Sequence, residues 1–457
     1  MTRWIYALLM WLAQPLLRRK LNSRGRQEPG YLHAMDERFG LYSVQVPPHP
    51  GPTVWVHAVS LGETRAAAVL VSALRVQWPE MRLLLTNGTA TGRFEGAKLL
   101  RAGDLQAWQP WDTQGATQRF LNHFKPTLGI LMETEVWPNA VHACREQGVP
   151  LMLVNARLSD KSLRQAQRLA WLARPAYAAL TAVWAQTPAD AQRLEQLGAP
   201  VRSVLGNLKF DATPDAKQLA TGSAWRKASV KPVVMFASSR EGEELALLQV
   251  LKGFSPPSQV QKAQIAIENI ANRVQWLIVP RHPQRFEDVA ALIREYGFAV
   301  QRRSAWLADG PVTAQDTSRE ANELNAAPPC IWLGDSLGEM ALYYGLAEVA
   351  LLGGSFEPLG GQNLIEAAAC GCPVVMGPHT FNFTEAAEQA LAAGAAARVP
   401  DLPLAITCAV DLVTHRPVLH EMQQASQQFA QAHQGAARQL ALVISQELGT
   451  TPGKPTH

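Results

Sequence analysis

The strongest constraint in this chain is a pattern that occurs twice: short runs apolar at nearly every position, separated by stretches with helical spacing. In the first half the runs are TVWVHAVS (53–60), RLLLTN (82–87), TLGILME (127–133), VPLMLVN (149–155), LTAVWAQ (180–186) and VRSVLGN (201–207). In the second half they are PVVMFAS (232–238), QWLIVPR (275–281), GFAVQRR (297–303), CIWLGD (330–335), VALLGGS (349–355) and PVVMGP (373–378). Strands of this kind must be covered on both faces, and the intervening helices provide the cover, which predicts parallel, doubly wound sheets. The fold class expected is α/β, with two tandem Rossmann-like domains. A hydrophobic content of 47% is enough to fill two cores.

The rest of the chain is arranged around this repeat. Residues 1–26 are set apart. The segment from Trp4 to Leu17 carries no charge, and Arg18, Arg19, Lys20, Arg24 and Arg26 come directly after it. As a helix that segment spans about 21 Å, short of the roughly 30 Å hydrocarbon core. The expectation is a short membrane anchor, inserted or lying in the interface; the competing reading is a first core helix. The basic flank keeps the remainder of the chain on the cytoplasmic side and attracts anionic lipid, which places the chain at the inner membrane. The first domain is expected over 27–210, a linker over 211–231, the second domain over 232–416, and one long helix over 417–448 packing across both. Residues 304–328 lack periodicity and are predicted to be a mobile insertion. A net charge of +4 gives no case for nucleic acid as a partner. Five cysteines without a CxxC pair argue against a disulfide scaffold or a structural zinc site. No DxD-like motif or i, i+4 histidine pair stands at the strand ends, so neither a catalytic metal nor a cofactor is expected.

In doubly wound sheets, ligands bind beyond the carboxyl ends of the strands, and two such domains would face each other across a cleft. The residues past each apolar run are therefore the candidates. After the first run, Ser60 and Glu63 have the spacing of a capping box. The same Glu63, at a strand end beside Gly62, suits a general base, and the helix N-terminus is expected to keep it ionised. METEVWPN puts Glu133 and Glu135 in a tight turn after the third run. GNLKFD puts Lys209 where it could meet a phosphate; otherwise it is a solvated surface lysine. In the second half, VPRHP places Pro280, Arg281 and His282 after a strand, and arginine binds phosphate through its planar fork. Ser336-Leu337-Gly338-Glu339 opens a helix. GGSFEPLGGQNLIEAAACGCPVVMGPHTFNF (353–383) is a glycine-rich loop running into a helix that starts near Gln362, a combination suited to a phosphate. Asn363 and Glu366 either cap that helix or hydrogen-bond a ribose.

Together HAVSLGE, METEVWPN, NARLSDKS, GNLKFD, VPRHPQRF, GDSLGEM and GGSF…GGQNLIEAAACGCPVVMGPHTFNF resemble, in order and approximate spacing, the 3-deoxy-D-manno-octulosonic acid (Kdo) transferases of lipopolysaccharide synthesis. The resemblance spans nearly the whole chain. It implies the two-domain GT-B fold, CMP-Kdo as donor, a lipid A precursor (lipid IVA) as acceptor and a membrane surface as partner. It also implies that Glu63 is the base and that Glu133 and Lys209 support the transition state. The implied CMP-Kdo contacts are Pro280, Arg281, Leu337, Gly338, Glu339, Asn363, Leu364, Ile365 and Glu366. The chain departs from the family in two places: Arg240 stands where a histidine is expected, and the 304–328 stretch is longer than the usual loop. The competing readings are another GT-B enzyme using a UDP-sugar, a membrane-tethered dinucleotide oxidoreductase and a non-catalytic lipid-binding protein. The oxidoreductase lacks a GxGxxG after the first strand.

Overall fold

A computed structural model of the chain describes residues 2–253, 273–311 and 328–450. It divides into two compact units, one formed by Met1–Ala212 with His433–His457 and the other by Thr213–Ala432. Each unit is a seven-stranded parallel sheet covered by helices.

In unit 1 the strands are β1 (Thr53–His57), β2 (Arg82–Asn87), β3 (Leu105–Trp108), β4 (Leu128–Met132), β5 (Leu151–Ala156), β6 (Ala182–Ala185) and β7 (Val201–Val204). Their order is β3-β2-β1-β4-β5-β6-β7, so the winding reverses between β1 and β4. β1, β2, β4, β5 and β6 are buried along their whole length, which is why they read as unbroken apolar runs. β3 has no such run because Gln106 interrupts it. Its amide is satisfied locally, donating to Asn87 Oδ1 at 3.1 Å and to the Arg93 carbonyl at 2.8 Å.

Unit 2 contains β8 (Val233–Ser239), β9 (Gln275–Pro280), β10 (Ala299–Arg302), β11 (Cys330–Leu333), β12 (Val349–Leu352), β13 (Val374–Met376) and β14 (Ala396–Arg398). The order β10-β11-β9-β8-β12-β13-β14 puts its reversal between β8 and β12. The three-residue β14, with only alanines for apolar content, is too short to read from the sequence.

Three expected segments differ. The expected linker, 211–231, contains the helix Ala216–Ala228, capped by the Asp215 side chain. Its Ala, Gly and Ser content serves close packing rather than a tether: a Cβ on Gly222 would lie 2.1 Å from the Leu342 carbonyl oxygen of the facing helix Met340–Leu346. The single C-terminal helix is two, Arg416–Ala432 in unit 2 and Ala436–Thr450 in unit 1. The break falls at Gly435, whose φ is +107°, and the Asp211 carboxylate accepts from the Gly435 and Ala437 amides to cap the second helix. That helix packs its Leu440 and Ile444 side into the core of unit 1. In the 304–328 stretch, Trp306 is buried with its ring against Trp225 and Trp332. Residues 312–327, where the rest of the expected insertion falls, lie outside the described residues.

The N-terminal segment forms two helices, Thr2–Leu12 and Gln14–Gln27. Among the described residues no single helix is long and apolar enough to cross a membrane. The first helix is tied to the body of unit 1. The Tyr6 hydroxyl donates to Asp112 Oδ2 at 2.9 Å, and Asp112 also accepts from the Asn139 and Ala140 amides at the start of helix Pro138–Glu146.

Candidate active site

Ligand sites of open parallel sheets lie where the winding reverses, and in unit 1 that is the carboxyl end of β1 and β4. The chain leaves β1 through Ala58 and Val59, and Asn87 from the end of β2 holds this turn by donating to the Ala58 carbonyl at 2.8 Å. Ser60 then caps helix Leu61–Gln77. The capping-box reading of Glu63 is borne out: Oε1 accepts from the Ser60 hydroxyl and Oε2 from the Val59 amide, both at 2.9 Å. The carboxyl is nevertheless only half-buried. Beside it Gly62 opens to free space, with no atom within 4 Å of where a Cβ would be. Burial, helped by the nearby charges of Glu133 and Glu135, raises its pKa to about 7 against the pull of those two hydrogen bonds. The helix N-terminus was expected to keep the group ionised; desolvation outweighs it.

Glu133 follows β4 and is almost completely buried, at 2% exposure. Its φ of +55° is a left-handed conformation that costs a non-glycine residue on the order of 1–3 kcal/mol and tends to be kept where a site requires it. Arg157 Nε lies 2.7 Å from its Oε2 and Lys209 Nζ 3.4 Å from its Oε1. Lys209 comes from the far side of the sheet, past β7, yet its 3₁₀ turn Leu208–Asp211 is drawn back toward β5. Asn155, at φ +51°, does this by accepting from the Leu208 amide at 3.0 Å. The structure therefore brings Glu133 and Lys209 into contact and sets Glu63 within the field of Glu133. Glu135 hydrogen-bonds Trp137 Nε1 at 2.9 Å and is raised in pKa, chiefly by burial.

In unit 2 the loops after β11, β9, β8 and β12, four neighbouring strands, carry the expected donor residues. Arg281 is exposed and its Nε donates to Gln362 Oε1 at 3.2 Å, linking the end of β9 to the glycine-rich loop after β12. Arg240, one residue past β8, lies beside it. Burial lowers the pKa of His282, and the charges of Arg240 and Arg281 lower it further. Beneath them Arg285 forms a two-pronged pair with the buried Glu244 at 2.8 and 2.9 Å. Glu243 accepts from the Gly354 amide at 2.8 Å and fixes the loop.

The other expected residues are less open. Pro280, Leu364 and Ile365 are buried, so their side chains face the core. Glu339 is paired with Arg303 at 2.8 Å and accepts from the Ser336 hydroxyl. Gly338 has φ +78° and Leu337 is exposed. The helix after the glycine-rich loop is Leu364–Ala369, two residues later than expected. It is capped by Asn363, whose side chain accepts from the Ile365 amide at 3.2 Å, and Glu366 sits half-buried in its first turn.

Comparison with known proteins places this geometry. The family model described as 3-deoxy-D-manno-octulosonic-acid transferase (kdotransferase) matches residues 33–212. The 3-deoxy-D-manno-octulosonic acid transferase of Bordetella pertussis is 43% identical over 456 residues, covering 98% of this chain and 100% of that protein. The chain belongs to the Kdo transferase family. It is a glycosyltransferase that moves Kdo. Two solved structures show the fold. One is a glycosyltransferase from Rickettsia africae ESF-5, with TM-score 0.54 and 12% identity over 88% of this chain and all of that one. The other is the UDP-GlcNAc 2-epimerase of Neisseria meningitidis, with TM-score 0.51 and 13% identity over 87% of this chain and all of that one. For this Kdo transferase, the sequence did not single out Arg157 or Asn155 individually, nor the bond from Arg281 to Gln362. Arg157 and Asn155 lie in NARLSDKS, at the end of β5, and that position past a buried strand was the signal available.

Proposed function

We propose that this Kdo transferase takes Kdo from CMP-Kdo and attaches it to lipid IVA, a lipid A precursor, in lipopolysaccharide inner-core synthesis, by direct displacement with Glu63 as general base. The observation that carries the reading is the Glu63 carboxyl itself. It is half-buried, beside the open space at Gly62, with a pKa raised to about 7. A base poised near the operating pH combines a useful ionised fraction with real proton affinity. In the reaction Glu63 removes the proton from an acceptor hydroxyl as its oxygen bonds to the anomeric carbon of Kdo. The bond from that carbon to the CMP phosphate breaks, and CMP leaves with the electron pair. Glu133, gripped by Arg157 and Lys209, holds that lysine in place to support the transition state. On unit 2, Arg281 and Arg240 supply the positive charge for the nucleotide phosphate, and such electrostatic support is commonly the largest catalytic contribution.

The N-terminal helices fit a segment that lies on the inner membrane, with the catalytic units on its cytoplasmic face. The helix Thr2–Leu12 exposes Trp4, Leu8, Trp11 and Leu12. Its Tyr6 is fastened, through Asp112, to the helix that comes after the Glu133 loop. Incubating the purified protein with CMP-Kdo and a tetraacylated lipid A precursor, and weighing the product, tests the whole reading. The expected result is a mass gain of one or more Kdo residues. An acceptor of unchanged mass, or equal turnover of a UDP-sugar, overturns it.

A further inference from the structure

The segment after Arg157 takes no part in the chemistry above, yet four of its side chains, Lys161, Arg164, Arg168 and Arg174, are exposed cations. Helix Asp160–Arg168 leads directly into helix Ala170–Ala178, and the two pack together. Lys161, Arg164 and Arg168 recur at helical spacing on an exposed face, while Leu163 on the opposite face is buried. The row continues in the second helix through Arg174. Between the arginines, Leu169 and Trp171 are 52% and 42% exposed. The single acid, Asp160, is paired with Arg193 at 3.3 Å.

Its neighbours indicate what covers it. Helix Ala170–Ala178 packs against Thr2–Leu12, the helix that exposes Trp4, Leu8 and Trp11. On its other side, Tyr177 is close enough to Glu135 for that charge to act on its hydroxyl. The patch therefore runs from the N-terminal helix to the catalytic loop. We propose that Asp160–Ala178 is a second membrane-docking surface that sits on anionic lipid headgroups and inserts Leu169 and Trp171 at their boundary. It turns the Glu63 side of unit 1 toward the bilayer in which the acceptor is held. This rests on the reading of the N-terminal helices as a membrane-contacting segment. Charge complementarity, together with continuity with that apolar face, favours lipid as the occupant.

Vesicle co-sedimentation of the full chain tests it, using phosphatidylcholine alone and an equimolar mixture with phosphatidylglycerol. The variant Arg164→Gln/Arg168→Gln/Arg174→Gln keeps both N-terminal helices. It is expected to lose affinity for the anionic vesicles on the order of a hundredfold, with phosphatidylcholine binding and circular dichroism unchanged. Trp171→Ser is expected to weaken binding to both kinds of vesicle. If the triple variant binds anionic vesicles as tightly as the parent, the second surface is overturned while the N-terminal reading stands. If the parent itself ignores both vesicles, the membrane reading and this inference fall together.

Discussion

At the reversal point of unit 1, after β1 and β4, the side chains that define the site are carboxylates: Glu63 half-buried, Glu133 almost fully so and Glu135 beside them. At the same point of unit 2, around β8 and β12, they are guanidiniums, Arg240 and Arg281, standing over Arg285. The backbone scaffolding is alike in the two places, parallel strands ending in loops that feed helices, yet unit 1 gathers three carboxylates about Lys209 and Arg157, and unit 2 sets its arginines above Glu243 and Glu244. Burial explains the division of labour. A carboxyl becomes a useful base only when desolvation lifts its pKa toward neutrality, which calls for a shielded position and like-charged neighbours. An arginine keeps its charge at any working pH and can stay exposed, ready to receive an anion. On the reading proposed above, unit 1 moves a proton and unit 2 holds a phosphate.

Substitutions can break that contrast. The largest effect is expected from Glu63→Gln, which keeps hydrogen-bonding capacity but removes the base. Turnover should fall on the order of 10²–10⁴-fold while CMP-Kdo binding, measured by calorimetry, is retained. Equal loss of donor binding would merge the two roles. Arg281→Ala should do the reverse, weakening CMP-Kdo binding on the order of tenfold, since its charge-assisted contact is made from an exposed position. The pH profile separates the units again. With the Glu63 pKa at about 7, only the ionised form accepts a proton. The transfer rate should therefore rise about tenfold per pH unit below 7 and level off above it. A profile already flat at pH 5 would mean that burial does not control this group.

Legibility in the sequence divides along the same line. Strand ends were legible because buried parallel strands leave unbroken apolar runs, and Glu63, Glu133, Lys209 and Arg281 became candidates because they stand just past them. The protonation of Glu63 was not legible. The helix N-terminus is a local feature that favours the charged form, but burial among Glu133 and Glu135 comes from β4, some seventy residues away, and it prevails. The role of Asn155 was hidden because it rests on a left-handed φ and on a contact with Leu208, fifty-three residues on. Leu364 and Ile365 were placed near the ligand by their motif, but helical periodicity turns them inward.

The smallest effect concerns Arg157, and it asks whether Glu133 belongs to one cation or two. Arg157 lies on one oxygen of this buried carboxylate and Lys209 on the other. Arg157 is about half exposed, so Arg157→Gln should cost only about 1 kcal/mol of stability and a few-fold in turnover. Lys209→Met should cost more turnover, because this lysine is the better-buried cation and the one proposed to meet the transition state. The decisive quantity is the double variant. If the two cations share Glu133, the combined loss in urea stability exceeds the sum of the single losses by roughly 0.5–3 kcal/mol, because the carboxylate is then left buried without a partner. Simple additivity would show that Arg157 holds only its own loop, and Glu133 would have to be read as the partner of Lys209 alone.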